Sequence, residues 1–514
     1  MSDKGKRPER VPQSQAQTDM GIPRSLLLVT VDCLRADHAG FLGYRRPTTP
    51  FLDSLVTESL VFLNAIVAGS PTYYSFPAIM ASRYPLSLGR DVVGLAPGES
   101  TLATVLDRRG YATGAFLAGN PYLSPRFGYD AGFDVFNDFL NPDENARETR
   151  PETTTLPSRT CLNLLLGDAC HRLKPVGALY DELYFQYCMR SASAPPPSMD
   201  ALRRFPSADV IVDHAAEWLA NCGKQPFFLW LHFMDPHAPY YPPQQALEEM
   251  GDAGIDAREA RYLNSYWNRS DLGLQRLVPR REKVIALYDA GIRWVDIQME
   301  RLVGKLRALG LWDDCVVALT ADHGEEFLDH SDRYHAPTKL PEEIVNAPLL
   351  LRVPGAAKGS PQQPFSLLHL SPTLLNALDV AIPETFLGRS YWPELQRGES
   401  WQGEALVECI KGCTNPFVTE KRLGPRLVAL RESRFKLVFD FATASDSLFD
   451  LQADPGELSP LPTDAEKQTR RRLLEKLRQH ISGSLNLRDA ASVLAVRLRD
   501  LQLELAQPAV EMCA

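Results

Sequence analysis

A short apolar run that ends in a carboxylate constrains the fold of this chain more than any other feature of its sequence. Residues 26–31, LLLVTV, are apolar or β-branched, and Asp32 follows them directly. Such a run is typical of a buried strand in a parallel sheet. Because ligands of open α/β sheets bind outside the carboxyl ends of strands, Asp32 is a candidate for binding a metal or a phosphate-like group. A helix-capping aspartate fits the same pattern.

Similar apolar runs alternate with helical patterns along most of the chain. This alternation predicts an α/β fold with a large mixed, mostly parallel sheet flanked by helices. From about residue 404 the pattern changes to paired strands and a helix, which predicts a small C-terminal α+β domain. The predicted strands outside that domain are 26–31, 61–68, 111–118, 226–233, 315–320 and 347–353. The predicted helices between them are 101–109, 208–221, 280–309 and 370–378, and further helical patterns lie at 161–190, 464–481 and 487–505.

Proline-rich and polar stretches divide the chain further. The pieces RPETTTLP and SASAPPPS flank a segment that breaks the strand–helix rhythm, which favours an insertion or lid. We expect a disordered leader over 1–22, a catalytic domain over 23–400 with the insertion at 141–206, a C-terminal subdomain over 401–483 and a helical tail over 484–514.

Composition excludes several classes of protein. The chain of 514 residues has a formal net charge of −9, which argues against nucleic-acid binding. It contains no apolar run of about 20 residues, the length that spans a bilayer. Its nine cysteines form no C-x-x-C pair, so neither a disulfide framework nor a zinc cage is indicated. The cysteine usage favours a reducing cytoplasm.

Carboxylates and imidazoles follow several of the predicted strands. Oxygen and imidazole ligands that leave separate strands converge at one edge of a sheet, as a divalent cation requires. Each motif taken alone also fits a turn with a helix cap or a loop fixed by proline. The groups are Asp32, Asp235 and His237 in HFMDPHAPYYPP, Asp322 and His323 in ALTADHGEE, and the hydroxyl cluster PTYYS at 71–75.

In their order along the chain, these stretches resemble the sulfatase family of the alkaline phosphatase superfamily. The resemblance runs from about residue 25 to residue 480 and implies an alkaline-phosphatase-like fold and a metal-dependent ester hydrolase. The stretches that carry it are VTVDCLRADHAGFLGYRRPTTPFLDSL, SFPAIMASRYP, GYATGAF, GFDVF, LHFMDPHAPYYPP, LYDAGIRWVD, LTADHGEEFLDH, NAPLLLRVPG, RFKLVFDF and LFDLQADPGE.

The resemblance implies a set of metal ligands. Asp32 matches the first residue of the family's Asp-Asp pair, and Asp322 and His323 match the later pair. Cys33 stands where the family has the second aspartate, and a neutral thiol is a poor ligand for a hard cation. We therefore expect one divalent ion, Ca²⁺, Mg²⁺, Mn²⁺ or Zn²⁺, in a site with less negative charge than the family's usual one.

The resemblance also implies residues that contact the substrate. His237 matches a substrate-contacting histidine, and His335 falls where the family has a lysine or histidine facing the leaving group. Asn120 falls near a position that contacts sulfuryl or phosphoryl oxygens, whereas the family's Lys-Trp-His is absent there. A second metal would commonly need a histidine four residues after Asp235, where this chain has proline, although His335 or His330 could build another second site.

The nucleophile position departs most from the family pattern. Counting back from the shared R-Y-P of residues 83–85 places that position at Thr72, in TYYSF without the family's proline and arginine. Threonine cannot become formylglycine, which is made from cysteine or serine, so the resemblance implies a site without it. Thr72 is similar to the nucleophile and metal ligand of phosphodiesterase and phosphotransferase branches. Ser75 is the nearby alternative.

Three functions are consistent with these residues. The leading hypothesis is a sulfatase-family hydrolase of sulfate or phosphate esters with a threonine nucleophile. The alternatives are a phosphodiesterase or phosphoglycerol-type phosphotransferase, and a catalytically degenerate member that only binds. The expected substrate is a small-molecule, glycan or lipid ester. The organic group that carries the ester stays open, because the insertion and the surrounding loops set specificity.

Overall fold

The structure is a computed structural model. It describes residues 24–140, 198–223, 225–356 and 358–482, together with positions 177, 179, 180 and 183. The predicted leader over 1–22, the predicted tail over 484–514 and most of the predicted insertion lie outside the described residues. Only the last part of that insertion, residues 198–206, is described in full.

Strands are found at every position where the sequence predicts them, with ends that agree to within two residues. Their bounds are β1 Ser25–Val31, β2 Leu60–Ile66, β3 Ala112–Leu117, β4 Val135–Asn137, β5 Phe227–Phe233, β6 Cys315–Ala321, β7 Glu326–Phe327, β8 Arg333–Tyr334, β9 Asn346–Arg352, β10 Phe365–Ser366, β11 Ala405–Ile410, β12 Arg426–Arg431, β13 Phe435–Asp440 and β14 Ser445–Asp450.

The α-helices include those predicted at 101–109, 208–221, 280–309, 370–378 and 464–481, whereas the predicted helical stretches 161–190 and 487–505 lie almost wholly outside the described residues. The bounds of the α-helices are α1 Pro50–Ser54, α2 Thr72–Ala81, α3 Leu102–Arg108, α4 Ala208–Asn221, α5 Gln244–Glu249, α6 Ala257–Trp267, α7 Leu274–Leu277, α8 Arg281–Ala308, α9 Glu342–Val345, α10 Leu370–Ala377, α11 Trp392–Arg397, α12 Thr419–Arg422 and α13 Lys467–Ser482. None of the described helices is long and apolar enough to cross a membrane.

An eight-stranded sheet forms the centre of the large domain, in the order β10-β2-β9-β6-β1-β5-β3-β4. Strand β1 is buried along its whole length and pairs in parallel with both β5 and β6. Strand β9 is antiparallel to β2 and β6, so the sheet is mixed but mostly parallel. Helix α8 packs against α4, α1 and α5, while α2 packs against α10. The predicted fold class is confirmed.

Helix α2 has no counterpart among the predicted helices. All of its residues are buried, so the segment offers no polar face from which a helical period could be recognised. Pro77 lies inside it and removes one backbone donor, which is the usual sign of a helix end. The segment therefore resembles a loop in sequence and becomes a helix through its tertiary packing.

The C-terminal part folds as a separate antiparallel sheet in the order β11-β12-β13-β14, with α13 packed on it. Leu473, Leu474 and Leu477 of α13 form a buried cluster with Val428 and Leu437 of the sheet. This arrangement confirms the predicted small α+β domain, whereas the boundary at residue 400 stays a prediction.

Candidate active site

The register of three central strands brings the predicted metal ligands together. Val31 of β1 lies beside Ala321 of β6, so the residues that follow them, Asp32 and Asp322, leave neighbouring parallel strands at the same edge. On the other side of β1, Thr30 lies beside His232 of β5. This edge of the sheet is where ligands of open α/β folds bind.

Four side chains meet at this edge, and we call Asp32, Asp322, His323 and Thr72 the Asp32 centre. His323 Nε2 lies 3.3 Å from Thr72 Oγ1, 3.5 Å from Asp322 Oδ2 and 3.8 Å from Asp32 Oδ1. The Thr72 hydroxyl lies 3.4 Å from Asp32 Oδ2. Asp32, Asp322 and His323 are fully buried and Thr72 is 5% exposed. The structure thus joins residues up to 291 positions apart in sequence into one cluster of oxygen and nitrogen donors.

The two carboxylates of the Asp32 centre have opposite pKa shifts. Burial raises the pKa of Asp32, but the imidazoles of His237, His232 and His323 outweigh burial and hold that pKa well below its usual range. Burial and the nearby Asp32 carboxylate raise the pKa of Asp322. Two neighbouring buried carboxylates carry one negative charge more easily than two, and a bound cation would allow both to ionise.

The donors of the Asp32 centre fit a divalent metal ion. His323 Nδ1 lies 2.9 Å from the carbonyl oxygen of Gly324, which fixes the ring so that Nε2 faces the carboxylates. Asp322 Oδ2 is buried without a hydrogen-bond partner. Neighbouring ligands of an octahedral ion at about 2.1 Å lie roughly 3 Å apart, close to the separations found here. Oxygen donors outnumber the single nitrogen, as hard and borderline cations prefer.

Thr72 is the first residue of α2, and the helix N-terminus faces the Asp32 centre. The aligned peptide dipoles of a helix place a partial positive charge at this end, which favours an anion beside Thr72. Ser75, the alternative nucleophile, lies one turn further along the same helix, where its buried hydroxyl has no hydrogen-bond partner. Thr72 lines the adjacent cavity and Ser75 does not.

A cavity of about 760 Å³ opens above the Asp32 centre. The predicted substrate contacts Asn120, His237 and His335 all line it. Asn120 donates from Nδ2 to Asp32 Oδ2 at 2.9 Å and accepts from the backbone N–H of Tyr122 at 3.0 Å, so its amide is held in place at both ends. The structure thus brings these three residues together in one cavity beside the Asp32 centre.

The two cavity imidazoles have different environments. Burial lowers the pKa of His335, but Glu325, whose Oε2 lies 3.3 Å from Nδ1, overcomes burial and raises that pKa to about 9. Burial lowers the pKa of His237, and the positive charge of His335 lowers it further against the opposing effect of Asp32. At neutral pH the site therefore presents one cationic and one neutral imidazole, with ring centres 5.2 Å apart.

Sequence reasoning missed two residues of this site. His232 lies inside strand β5, and its Nε2 is 3.4 Å from Asp32 Oδ2. Glu325 is fully buried beside His335, and its Oε1 lacks a partner. A histidine within the apolar run FFLWLHF and the first glutamate after ADHG were the available signals.

Asp235 shares the motif of His237 but faces away from the Asp32 centre. Its Oδ1 accepts from the backbone N–H of Ala208 at 3.3 Å and lies 3.4 Å from the Ser207 hydroxyl. Burial raises its pKa to about 6. Asp235 thus caps the N-terminus of α4, a structural role that the sequence left open as an alternative to metal binding.

The motif LYDAGIRWVD in helix α8 supports the site from behind. The Tyr288 hydroxyl donates to the carbonyl oxygen of Cys33 at 2.7 Å and accepts from the N–H of Arg35 at 2.9 Å, which holds the loop after Asp32. Gly291 allows the helix to approach the loop before His237, since a Cβ there would lie 2.6 Å from the carbonyl oxygen of Asp235. These motif residues position the site and do not line its cavity.

Comparison with known proteins agrees with this geometry. The family model described as Sulfatase matches residues 24–380. A second model, described as N-sulphoglucosamine sulphohydrolase, C-terminal, matches residues 334–483. The first match covers well over half of the chain, including every residue of the Asp32 centre.

Curated relatives match along most of their length. The multifunctional alkaline phosphatase superfamily protein PehA of Trinickia caryophylli is 24% identical over 502 residues, which cover 86% of this chain and 91% of that protein. An arylsulfatase of Clostridium perfringens is 24% identical over 88% of this chain and 93% of its own. Human arylsulfatase K is 23% identical over 80% of this chain and 73% of its own.

Solved structures share the fold. A protein crystallised with its substrate D-glucosamine-2-N,6-O-disulfate superposes with a TM-score of 0.64 and 17% identity, covering 90% of this chain and 98% of that one. The phosphonate monoester hydrolase of Agrobacterium radiobacter gives a TM-score of 0.62 at 18% identity, covering 90% and 95%. The chain belongs to the sulfatase family of ester hydrolases.

Proposed function

We propose that this protein is a metal-dependent hydrolase of sulfate or phosphate esters that uses Thr72 as its nucleophile. The position of the Thr72 hydroxyl carries the proposal, since it lies 3.3 Å from His323 Nε2 and 3.4 Å from Asp32 Oδ2 beneath an open cavity. A nucleophilic hydroxyl needs such donors around it, because it is weak at its ordinary pKa.

Asp32, Asp322, His323 and Thr72 would hold one divalent cation. When bound, that cation would lower the pKa of the Thr72 hydroxyl and neutralise negative charge on the ester oxygens. Burial strengthens the electrostatic attraction of these carboxylates for a cation.

The reaction would begin with in-line attack of Thr72 Oγ1, as the alkoxide whose proton has passed to solvent, on the sulfur or phosphorus of the ester. Attack forms a covalent threonine ester and breaks the bond to the leaving-group oxygen. Asn120 Nδ2 donates to Asp32 Oδ2 at 2.9 Å and weakly to Met234 Sδ at 3.5 Å. With substrate bound, the N–H that contacts the sulfur would instead donate to an equatorial oxygen, where negative charge develops. The N-terminus of α2 adds its partial positive charge at the same place.

His335 is the better placed residue for protonating the leaving group. It lines the cavity and is held cationic by Glu325, so it can donate a proton at neutral pH. Once neutral, it can accept a proton from the water that cleaves the threonine ester. His237, which is neutral and also lines the cavity, would orient the leaving group.

The substrate has to present its anionic group to Thr72 and an organic group to the cavity wall. That wall is partly aromatic, with Tyr73, Tyr122, Phe139, Phe205 and Tyr334. Flat apolar faces of this kind suit a sugar ring or an aryl group of a small-molecule or glycan ester. Threonine lacks the second hydroxyl with which a formylglycine hydrate expels sulfate, so water must attack the threonine ester directly. A threonine nucleophile therefore favours phosphate esters, for which direct attack by water is more usual.

The test is an assay of the purified protein with Mg²⁺, Mn²⁺, Ca²⁺ and Zn²⁺ in turn. An aryl sulfate, an aryl phosphate monoester, a phosphodiester and a phosphonate monoester serve as substrates. We expect metal-dependent turnover and, by mass spectrometry of rapidly quenched protein, an adduct on the peptide that contains Thr72. Thr72→Ala should abolish both, while Ser75→Ala, which removes a hydroxyl one turn away, should retain them.

The alternatives give different results in the same experiment. A phosphotransferase would show turnover that rises with an added alcohol acceptor and yields the alcohol's ester. A degenerate binding protein would bind the metal and form no adduct. Turnover that survives Thr72→Ala, or an adduct lost in Ser75→Ala alone, would overturn the assignment of Thr72.

A further inference from the structure

Cys33 occupies an unusual position beside the Asp32 centre. Cys33 is fully buried, and its backbone is in the left-handed region with φ of 61°, which residues other than glycine rarely adopt. Its Sγ lies 3.0 Å from Asp32 Oδ1 and 3.3 Å from His335 Nδ1. The thiol therefore faces the cavity imidazoles, although a thiol is a poor ligand for a hard cation.

Cys33, His237 and His335 form a compact donor set of their own. One ligand atom from each lies within 4.8 Å of the other two. His237 Nδ1 lies 2.6 Å from the carbonyl oxygen of Ala238, which leaves Nε2 free to bind an ion. In tetrahedral zinc sites with bonds of about 2.3 Å to sulfur and 2.0–2.1 Å to nitrogen, sulfur and nitrogen lie roughly 3.5 Å apart, close to the Cys33–His335 separation.

Glu325 supplies the charge that such a site needs. Its Oε2 lies 3.3 Å from His335 Nδ1, the same nitrogen that faces Cys33. Its Oε1 is buried without a hydrogen-bond partner. A fully buried carboxylate with a free oxygen beside a thiol and an imidazole is stabilised by a cation placed among them.

We propose that Cys33, His237 and His335, with Glu325 beside them, form a second metal site that takes a borderline cation such as Zn²⁺. Thiolate and imidazole donors select zinc over calcium or magnesium, whereas the Asp32 centre offers mainly oxygen. The inference rests on the proposed function in taking the Asp32 centre as the site of the first ion.

Occupation of the second site changes what the two imidazoles can do. Cysteine binds a metal ion as the thiolate, so occupation of the second site releases the Cys33 proton. The nitrogens of His237 and His335 that coordinate the ion no longer carry a proton for the leaving group. Zinc at this site therefore inhibits an enzyme whose first site already holds Mg²⁺ or Mn²⁺.

Cobalt titration tests the site without relying on activity. Full-length protein is loaded with Mg²⁺ and titrated with Co²⁺, whose thiolate complexes absorb in the near ultraviolet by charge transfer. We expect this absorption to saturate at one equivalent and to disappear in Cys33→Ser. Cys222→Ser is the matched control, because α4 spans 14 residues and Cys222 follows its far end, roughly 20 Å from the cavity end of the helix.

A second set of variants decides which ion the thiolate binds. Asp32, Cys33 and His323 also lie within 4.8 Å of one another, so Cys33 could instead ligate the first ion. We expect His237→Gln and His335→Gln to lose the cobalt absorption and Asp322→Asn to retain it. The opposite pattern, or no charge-transfer absorption in the wild-type protein, would overturn the second site.

Zinc inhibition gives an independent readout. One equivalent of Zn²⁺ beyond the first site should lower turnover of the Mg²⁺-loaded enzyme at least tenfold, and Cys33→Ser should resist it. Cobalt absorption without Mg²⁺-dependent turnover or a Thr72 adduct would contradict the proposed function alone. Turnover and adduct without cobalt absorption would contradict the second site alone.

Discussion

Two clusters of carboxylates and imidazoles follow strand β6, and they differ in how their polar atoms are paired. In the Asp32 centre, Asp322 Oδ2 has no partner, and the His323 Nε2 that faces it has only the Thr72 hydroxyl within 3.3 Å. The atoms that could bind a metal face one another, with His323 Nε2 lying 3.3 Å from Thr72 Oγ1 and 3.8 Å from Asp32 Oδ1. Such an arrangement is unfavourable in a buried place unless a cation joins the donors.

The second cluster consists of Glu326, His330 and Glu343, and we call it the His330 cluster. Its three ligand atoms lie within 4.8 Å of one another. Here, however, His330 Nδ1 meets Glu343 Oε1 at 2.5 Å and Nε2 lies 3.3 Å from the carbonyl oxygen of Glu457. Glu326 Oε1 accepts two backbone N–H groups, from His330 and Asp332. Both ring nitrogens of His330 and the Oε1 atoms of Glu326 and Glu343 therefore already have a protein partner.

The difference shows that residue types and spacing do not separate a metal site from a structural ion pair. Both clusters combine one imidazole with two carboxylates, which are Asp32 and Asp322 in the first and Glu326 and Glu343 in the second. What separates them is whether the protein itself satisfies the buried polar atoms. An unsatisfied cluster predicts a ligand, and a satisfied one predicts stability.

The largest expected effect comes from removing one carboxylate from each cluster. Asp322→Asn should weaken Mn²⁺ binding at least about 100-fold and should abolish turnover. Loss of a residue that only orients a metal ligand weakens metal binding by about 10–100-fold. Glu326→Gln should leave Mn²⁺ affinity unchanged. Isothermal titration calorimetry measures both. Equal losses in the two variants, or Mn²⁺ affinity retained in Asp32→Asn, would break the comparison.

A smaller effect is expected at the imidazoles. His335→Gln should lower kcat by about 10²–10⁴-fold on esters with poor leaving groups, and much less on 4-nitrophenyl esters, because only the former need a proton. His330→Gln should leave kcat unchanged on both. Steady-state kinetics over a series of leaving groups provide the measurement. A loss that does not depend on the leaving group would assign His335 a positioning role instead.

Backbone packing sharpens the comparison further, because the loop carrying His237 depends on close contact with helix α8. Gly291→Ala should push that helix from the carbonyl oxygen of Asp235, lowering kcat about tenfold and stability by about 1–3 kcal/mol. Gly304→Ala, on the same helix with open space around it, should raise stability by about 0.4–1 kcal/mol. Thermal unfolding and kinetics of both variants test this. Equal effects would show that the contact at Gly291 is not needed.

The central sheet could be predicted from sequence because its strands are short apolar runs, and the strand ends then located Asp32, Asp322 and His323. Thr72 came from the family resemblance and not from periodicity, since α2 has no polar face. The only sequence signal for His232 was a histidine inside an apolar run, and its role depends on the register of β5 against β1, which brings its ring beside Asp32. The contribution of a residue inside a strand depends on its neighbours in the sheet, which the local sequence does not contain.

His330 illustrates the other limit of sequence reasoning. Sequence alone left it open as a ligand for a second metal, because a histidine near carboxylates is compatible with that role. Its partner Glu457 belongs to the C-terminal domain and lies 127 residues away. Asp235 and His237, two residues apart, likewise separate into a helix cap and a cavity residue. Pairing of this kind is decided by tertiary contacts.

The smallest expected effect is the pH dependence of the His330 cluster. The Glu343 side chain and the carbonyl of Glu457 outweigh burial and raise the pKa of His330 to about 9, above the 6.5 of an unfolded histidine. The pair therefore contributes its full stability below pH 6.5 and loses it as the pH rises through 9. A partly buried pair of this kind contributes about 1 kcal/mol, or roughly fivefold in local opening.

Hydrogen exchange followed by mass spectrometry measures that opening in peptides covering residues 326–345. At pH 6, His330→Gln and Glu343→Gln should each speed exchange about fivefold relative to the wild-type protein. The double variant should match the single variants, because the two side chains form one interaction. After correction for the intrinsic exchange rate, the difference should vanish by pH 10. A difference that persists there would mean that His330 stabilises the cluster through packing, and that charge pairing is not what distinguishes it from the Asp32 centre.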